Sequence, residues 1–227
     1  MKAIRIFLFD VDGPIYRGHM IVDFSVFLAK KGLFDEKALA GMHETVKRYK
    51  HHRLAYKHVI TGALKAYAKG VRGQSENRIR QEAKRYIRQF RSSVYPESVR
   101  RLRRLKKTAR VGLVSLSPLE CVQELERLIG IRFDYTYGTI FGVKHGRFDG
   151  TRKAHNPVDI KIVEIRKALK RFRVAPADAV FFGDTITDRH SAHAAGVHFK
   201  PMHSDRELRL YEREMKEQKK KKKKTGK

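Results

Sequence analysis

Two aspartates, Asp10 and Asp12, stand one residue apart after the run Ile6-Phe7-Leu8-Phe9 and immediately before Gly13-Pro14. A short apolar run closed by a turn signal predicts a buried strand. Side chains alternate along a strand, so both carboxylates are expected on one side with Val11 turned back. Carboxylates crowded in this way oppose each other's ionisation unless a cation lies between them. Three more pieces have similar chemical potential: Ser115 at the end of VGLVS, Lys161 early in VDIKIVEIRK, and the stretch Gly183-Asp184-Thr185-Ile186-Thr187-Asp188. Alone, each reads equally well as a turn or a helix cap. In this order, each at a strand end or a helix start, they point to one site.

That set suits phosphoryl transfer. A hard cation such as Mg²⁺ takes oxygen ligands in near-octahedral geometry. Asp10 and Asp184 can each supply a carboxylate oxygen, and the backbone carbonyl of Asp12 a third. The cation would relieve the crowding and neutralise charge on a phosphate. Asp10 is then the expected nucleophile, and Asp12 the group that protonates the leaving oxygen and later deprotonates a water. Ser115 and the backbone N–H groups after it, beginning with Leu116, are expected to hold phosphoryl oxygens. Lys161 adds a fixed positive charge. Asp188 is placed to orient Lys161 or a water rather than to ligate. Lys153 in DGTRKAH competes with Lys161, but its stretch reads as a loop.

The elements that must position these groups follow a repeating plan. AIRIFLFD (3–10), ARVGLVS (109–115) and DAVFFGD (178–184) are uniformly apolar, as expected of parallel strands buried on both faces. Helical patterns precede the second and third, which predicts an α/β fold with a doubly wound parallel sheet. Ligands in such sheets lie beyond the carboxyl ends of the strands, where Asp10, Ser115 and Asp184 fall. Residues 17–94 instead read as helices only, with Gly32, Gly70 and Gly73 as stop signals. They are expected to form a helical cap on a core made of residues 1–16 and 95–203. Ser117-Pro118-Leu119-Glu120 has the pattern of a capping box that starts a helix ending at Gly130. FDYTYGTIFGVKHGRFDG (133–150) suggests a hairpin turning at His145-Gly146. Residues 204–218 read as a terminal helix, and 219–227 as a disordered lysine-rich tail.

Composition bounds the remaining possibilities. With 41% hydrophobic residues over 227 positions, the chain can bury a core. Its one cysteine, Cys121, excludes an internal disulfide framework and is expected to pack in a helix. No run reaches the length of a membrane span or a secretory leader, so a cytoplasmic location is expected. The net charge is +28, and residues 47–110 carry 21 Lys and Arg against three acids. Such a field attracts anions, and a cap this basic suggests an anionic substrate. It also keeps open a nucleic-acid-associated protein or a polynucleotide phosphatase. The absence of a recognisable sequence-reading module counts against specific binding. His51-His52 are expected to be exposed, and Tyr49, Tyr56, Tyr67 and Tyr86 to pack in the cap core or at its interface with the sheet domain rather than stack on bases.

The residues Asp10-Val11-Asp12-Gly13, Ser115, Lys161 and Gly183-Asp184 with Asp188 resemble the four motifs of the haloacid dehalogenase (HAD) superfamily of phosphohydrolases. LVSLSP and the helical insertion look most like the branch containing phosphoserine phosphatases. The resemblance spans about residues 3–202 and implies Mg²⁺, a covalent aspartyl-phosphate and a small phosphomonoester substrate. Two positions depart from it. Pro14 replaces the usual threonine after the first motif, and His19 stands where phosphoserine phosphatases carry a substrate-binding glutamate. The second departure argues against phosphoserine. A phosphotransferase or mutase would use the same residues and stays open.

Overall fold

The computed structural model describes residues 5–50, 56–152 and 157–202. The expected terminal helix, the lysine tail, Lys153 and His51-His52 lie outside these ranges, as do the side chains of Tyr49 and Tyr56. Five parallel strands form one sheet: β1 (Ile6–Phe9), β2 (Arg110–Pro118), β3 (Tyr135–Thr139), β6 (Ala179–Gly183) and β7 (His198–Pro201). Their spatial order is β3-β2-β1-β6-β7. The sheet therefore grows outward in both directions from β1. This places the carboxyl ends of β1, β2 and β6 side by side at the point where the winding reverses.

Strand alternation divides the core into two layers. Ile6, Leu8, Val114 and Phe181 face Ile165, Ala168 and Leu169 of α7 (Pro157–Phe172) together with Ala192 and Ala195 of α8 (Ile186–Ala195). On the other face, Val111, Leu113 and Phe182 meet Leu102 of α5 (Pro96–Leu105) and Val122 and Leu125 of α6 (Leu119–Ile129). Helices thus cover both faces, as uniformly apolar parallel strands require. Gly130 ends α6 in the left-handed conformation at φ 64°.

Between β1 and β2 the chain forms α1 (Met20–Ala29), α2 (Glu36–Lys50), α3 (Tyr56–Gly70) and α4 (Glu76–Gln89). Their apolar faces do not make a separate core. Phe24, Phe27, Tyr67 and Tyr86 continue the layer that holds Leu113 and Val122. Polar contacts tie the same seam: Tyr67 Oη donates to Glu120 Oε1 at 2.8 Å, and the hydroxyls of Tyr16 and Tyr86 share a hydrogen bond of 2.7 Å. Tyr67 and Tyr86 are fully buried, as packing residues rather than exposed stacking platforms would be.

Two local expectations need correction. Only the second half of 133–150 is a hairpin, made by β4 (Phe141–Lys144) and β5 (Arg147–Arg152) around His145-Gly146. The first half, β3, joins the parallel sheet beside β2. Alternation alone does not distinguish an edge strand of a parallel sheet from one arm of a hairpin. The hairpin itself docks on the helical unit: the Gly73 N–H donates to the Phe148 carbonyl at 2.7 Å and the Phe148 N–H returns a bond to the Gln74 carbonyl at 2.9 Å. The second correction concerns Ser117, which does not cap α6. Strand β2 runs on to Pro118, and α6 starts without a side-chain cap.

Candidate active site

Phe9 is the last residue of β1, although the Asp10 N–H still donates to the Phe182 carbonyl at 2.8 Å. The chain then folds into a tight turn in which the N–H groups of Ile15 and Tyr16 both donate to the Val11 carbonyl. Pro14 is accommodated because this turn uses its carbonyl and needs no N–H from it: Ser98 Oγ of α5 donates to Pro14 O at 2.6 Å. Gly13 has a φ of 87°, and a Cβ there would lie 2.1 Å from Asp184 Oδ2. Only glycine lets the first and last acidic segments approach this closely.

Asp10, Asp12, Ser115, Leu116, Lys161 and Asp184 all line one cavity of about 330 Å³ at the carboxyl end of the sheet. Oxygens of Asp10, Asp184 and Asp188 lie within 4.8 Å of one another. Within this cluster, Asp10 and Asp184 at the strand ends, with the Gly13 backbone pressed against Asp184, offer hard-oxygen donors that fit a small divalent cation, while both Asp188 oxygens are held by Lys161 and Thr185.

The two aspartates of the first segment share the cavity but not their partners. Asp10 is buried; Lys161 Nζ donates to its Oδ2 at 2.8 Å and the Val11 N–H to its Oδ1 at 2.8 Å. Asp12 is half-buried, and its Oδ2 accepts a hydrogen bond from Ser117 Oγ at 2.8 Å while Oδ1 accepts one from the Met20 N–H at 3.2 Å. Asp12 therefore sits at the N-terminus of α1, where the Met20 amide favours the anion. Burial nevertheless pushes both carboxyls up to about 7 in the metal-free protein. Lys161 acts against this shift at Asp10, and the Ser117 hydroxyl acts against it at Asp12.

Lys161 projects from α7 and is itself buried. Burial works to lower its pKa, but the Asp10 and Asp188 carboxylates outweigh that effect and raise it, so the ammonium stays charged. Asp188 Oδ1 accepts from Lys161 Nζ at 2.5 Å. The other Asp188 oxygen closes a capping box on α8, accepting from the Thr185 N–H at 3.2 Å and from Thr185 Oγ1 at 2.8 Å. Gly183 is needed for this, because a Cβ there would meet Asp188 Cβ at 2.4 Å. The T-x-x-D spacing that announces the box was present in the sequence, although Thr185 was not singled out.

Ser115 and Leu116 lie where β2 loses register with β3, between Val114 and Pro118. Irregularities of this kind re-aim side chains at the rims of sheets. Ser115 Oγ accepts from the Ser117 N–H at 3.2 Å, and the Leu116 carbonyl is held by Thr139 Oγ1 at 2.7 Å. Ser117 was missed as a site residue because its partner, Asp12, is 105 positions away.

The opposite wall comes from the helical unit and, among the described residues, is mostly aliphatic: Ile21, Val22, Val46, Val59, Ile60 and Leu64 are its main contributors. Among the described residues, Lys161 is the only lysine or arginine that lines the cavity. Among the described residues of 47–110, Lys65, Lys69, Arg78, Lys84 and Arg88 are exposed and none of the lysines or arginines lines the cavity. The basic side chains described in the helical unit therefore lie on its exterior rather than on this wall.

Residues 7–193 match the family model described as haloacid dehalogenase-like hydrolase. The chain belongs to that family. A comparison with curated proteins finds no match. Among solved structures, the fold resembles a substrate-bound phosphoserine phosphatase, with a TM-score of 0.64 and 16% identity over 92% of this chain and 91% of the other. It also resembles a protein of unknown function from Bordetella pertussis Tohama I, with a TM-score of 0.66 and 19% identity over 87% and 98% of the two chains. A phospho-aspartyl intermediate analogue of phosphoserine phosphatase gives 0.61 and 16% over 92% and 97%. At these identities the likeness is one of fold. No described helix is long and apolar enough to cross a membrane.

Proposed function

We propose that the protein is a divalent-cation-dependent phosphatase that cleaves a phosphomonoester through an aspartyl-phosphate on Asp10. The observation that carries this reading is the convergence of Asp10, Asp12, Ser115, Lys161 and Asp184 on one cavity. Asp10, Asp184 and the Asp12 carbonyl would hold Mg²⁺, which when bound supplies positive charge against the phosphate oxygens.

Asp10 attacks phosphorus in line, forming a carboxylate O–P bond as the ester P–O bond breaks. Protonated Asp12, half-buried beside the cavity, gives its proton to the departing alkoxide. Its position on the Met20 N–H and the Ser117 hydroxyl then stabilises the carboxylate that results. In the second half, Asp12 takes a proton from a water that attacks phosphorus, and the Asp10–phosphorus bond breaks to release inorganic phosphate. Lys161 and the Ser115–Leu116 segment face the phosphoryl oxygens as charge spreads over them. Asp188 fixes Lys161 in that position from behind. The basic exterior favours no second reading, since among the described residues Lys161 is the only lysine or arginine on the cavity.

Asp10→Asn tests the assignment. With Mg²⁺ and p-nitrophenyl phosphate, the variant should lose turnover while its thermal melt stays cooperative. Wild-type activity in this variant would show that Asp10 is not the nucleophile.

A further inference from the structure

The wall facing the reacting groups says what kind of alcohol the ester carries. Ile21 and Val22 of α1, Val46 of α2, and Val59, Ile60 and Leu64 of α3 line one side of the cavity. Among the described residues, the ionisable side chains lining the cavity away from the reacting groups are the Tyr95 phenol and His19, which is exposed and followed within the same turn by Asp23, whose N–H donates to the His19 carbonyl at 3.0 Å. The Asp23 carboxylate interacts electrostatically with the His19 ring. Any positive charge on that ring thus already has an acidic neighbour. Lys161 is engaged at the far end by Asp10 and Asp188.

We infer that the substrate is the phosphate ester of an uncharged, apolar alcohol whose carbon skeleton packs on the α1–α3 wall. The inference rests on the phosphatase reading and narrows it. A carboxylate or ammonium on the leaving group would lose its hydration against six aliphatic side chains and gain no fixed counter-charge from the described residues there. Carbon in the same place is removed from water against carbon, which is favourable. The polar ends of the cavity are then used for phosphate alone. The size of the cavity, about 330 Å³, suits a phosphate carrying a short alkyl chain or one aromatic ring. The strongly basic composition of the cap had suggested the opposite chemistry, because composition does not say which face of a helix carries the charge.

The test is a specificity series with the full chain and Mg²⁺: ethyl, butyl and hexyl phosphate beside phosphoserine and phosphoglycolate, with p-nitrophenyl phosphate as a reference. kcat/KM is expected to rise about three- to fourfold per added methylene until the wall is covered, with both charged esters poorer than butyl phosphate. A flat series, or a preference for phosphoserine or phosphoglycolate, overturns this inference while leaving the phosphatase reading standing. If no ester is cleaved, p-nitrophenyl phosphate included, both fall. Ile60→Lys places a cation on the half-buried part of the wall, and should lower hexyl phosphate turnover at least tenfold while raising that of phosphoglycolate. Ile60→Ser gives the milder form of the same loss if the lysine variant does not fold. A chain-length dependence untouched by either change would show that the ester group lies elsewhere.

Discussion

Ser117 Oγ donates a hydrogen bond to Asp12 Oδ2 at 2.8 Å, linking the end of β2 to the turn that follows β1. The bond stabilises the ionised form of Asp12 and pulls its pKa down against the larger effect of burial. Removing the hydroxyl should therefore raise the Asp12 pKa. If Asp12 is the acid that protonates the leaving group, the alkaline limb of kcat/KM moves upward in Ser117→Ala, by about one pH unit for a hydrogen bond to a charged group. A helix-capping serine would behave differently, losing about 1 kcal/mol of stability with the pH profile in place. A pH–rate profile together with a thermal melt separates the two.

The same serine shows how far the sequence could be read. Asp10, Ser115, Lys161 and Asp184 were legible because each is fixed by a local rule, the end of an apolar strand or the beginning of a helix, and the sheet then brings those ends together. Ser117 obeyed a local rule as well, S-x-x-E, but in the folded chain its hydroxyl has a better partner far away in sequence. A hydrogen bond to a carboxylate is stronger than one to a backbone amide, and here it outweighs the local capping preference. β3 was folded into a hairpin for a related reason, since a five-residue edge strand carries no mark of whether its neighbour runs parallel or antiparallel. The apolar wall was not legible at all. Ile21, Val46 and Ile60 lie on three different helices, and their common direction is set by how those helices pack.

Metal-free protein should be destabilised as its acidic groups ionise. Burial raises the Asp12 carboxyl from 3.8 to about 7, so between roughly pH 4 and 7 the folded chain binds a proton that the unfolded chain has released. Stability contributed by that proton is present at the acid end of the window and lost as pH rises through it. Asp12→Asn cannot ionise, yet its side-chain oxygen can still accept from Ser117. Wild type and variant should melt alike near pH 4, with the variant gaining by roughly 2 kcal/mol above pH 7, a figure below the full shift because Asp12 is only half-buried. Denaturant melts in chelator across this range measure the gap. A gap that does not change with pH would mean that Asp12 titrates alike in both states.

The helical unit and the core should behave as one cooperative body, because a single apolar layer runs through both and the Tyr16–Tyr86 hydrogen bond lies inside it. Tyr16 belongs to the turn that carries Asp12 and Gly13, and Tyr86 to α4. Tyr16→Phe leaves the buried Tyr86 hydroxyl facing carbon, at a cost of about 1–3 kcal/mol. Tyr86→Phe should be milder, since Ser93 also hydrogen-bonds Tyr16. The double variant removes both hydroxyls and should cost clearly less than the sum of the singles, because neither tyrosine hydroxyl is then left facing carbon without the other. Denaturant titrations of the four proteins, followed at two wavelengths, give both the coupling energy and the cooperativity. Additive losses would show that the two hydroxyls do not depend on each other. Separate transitions for the two halves would show that the shared layer does not couple them, and that the apolar wall can open over the acidic cluster independently of the sheet.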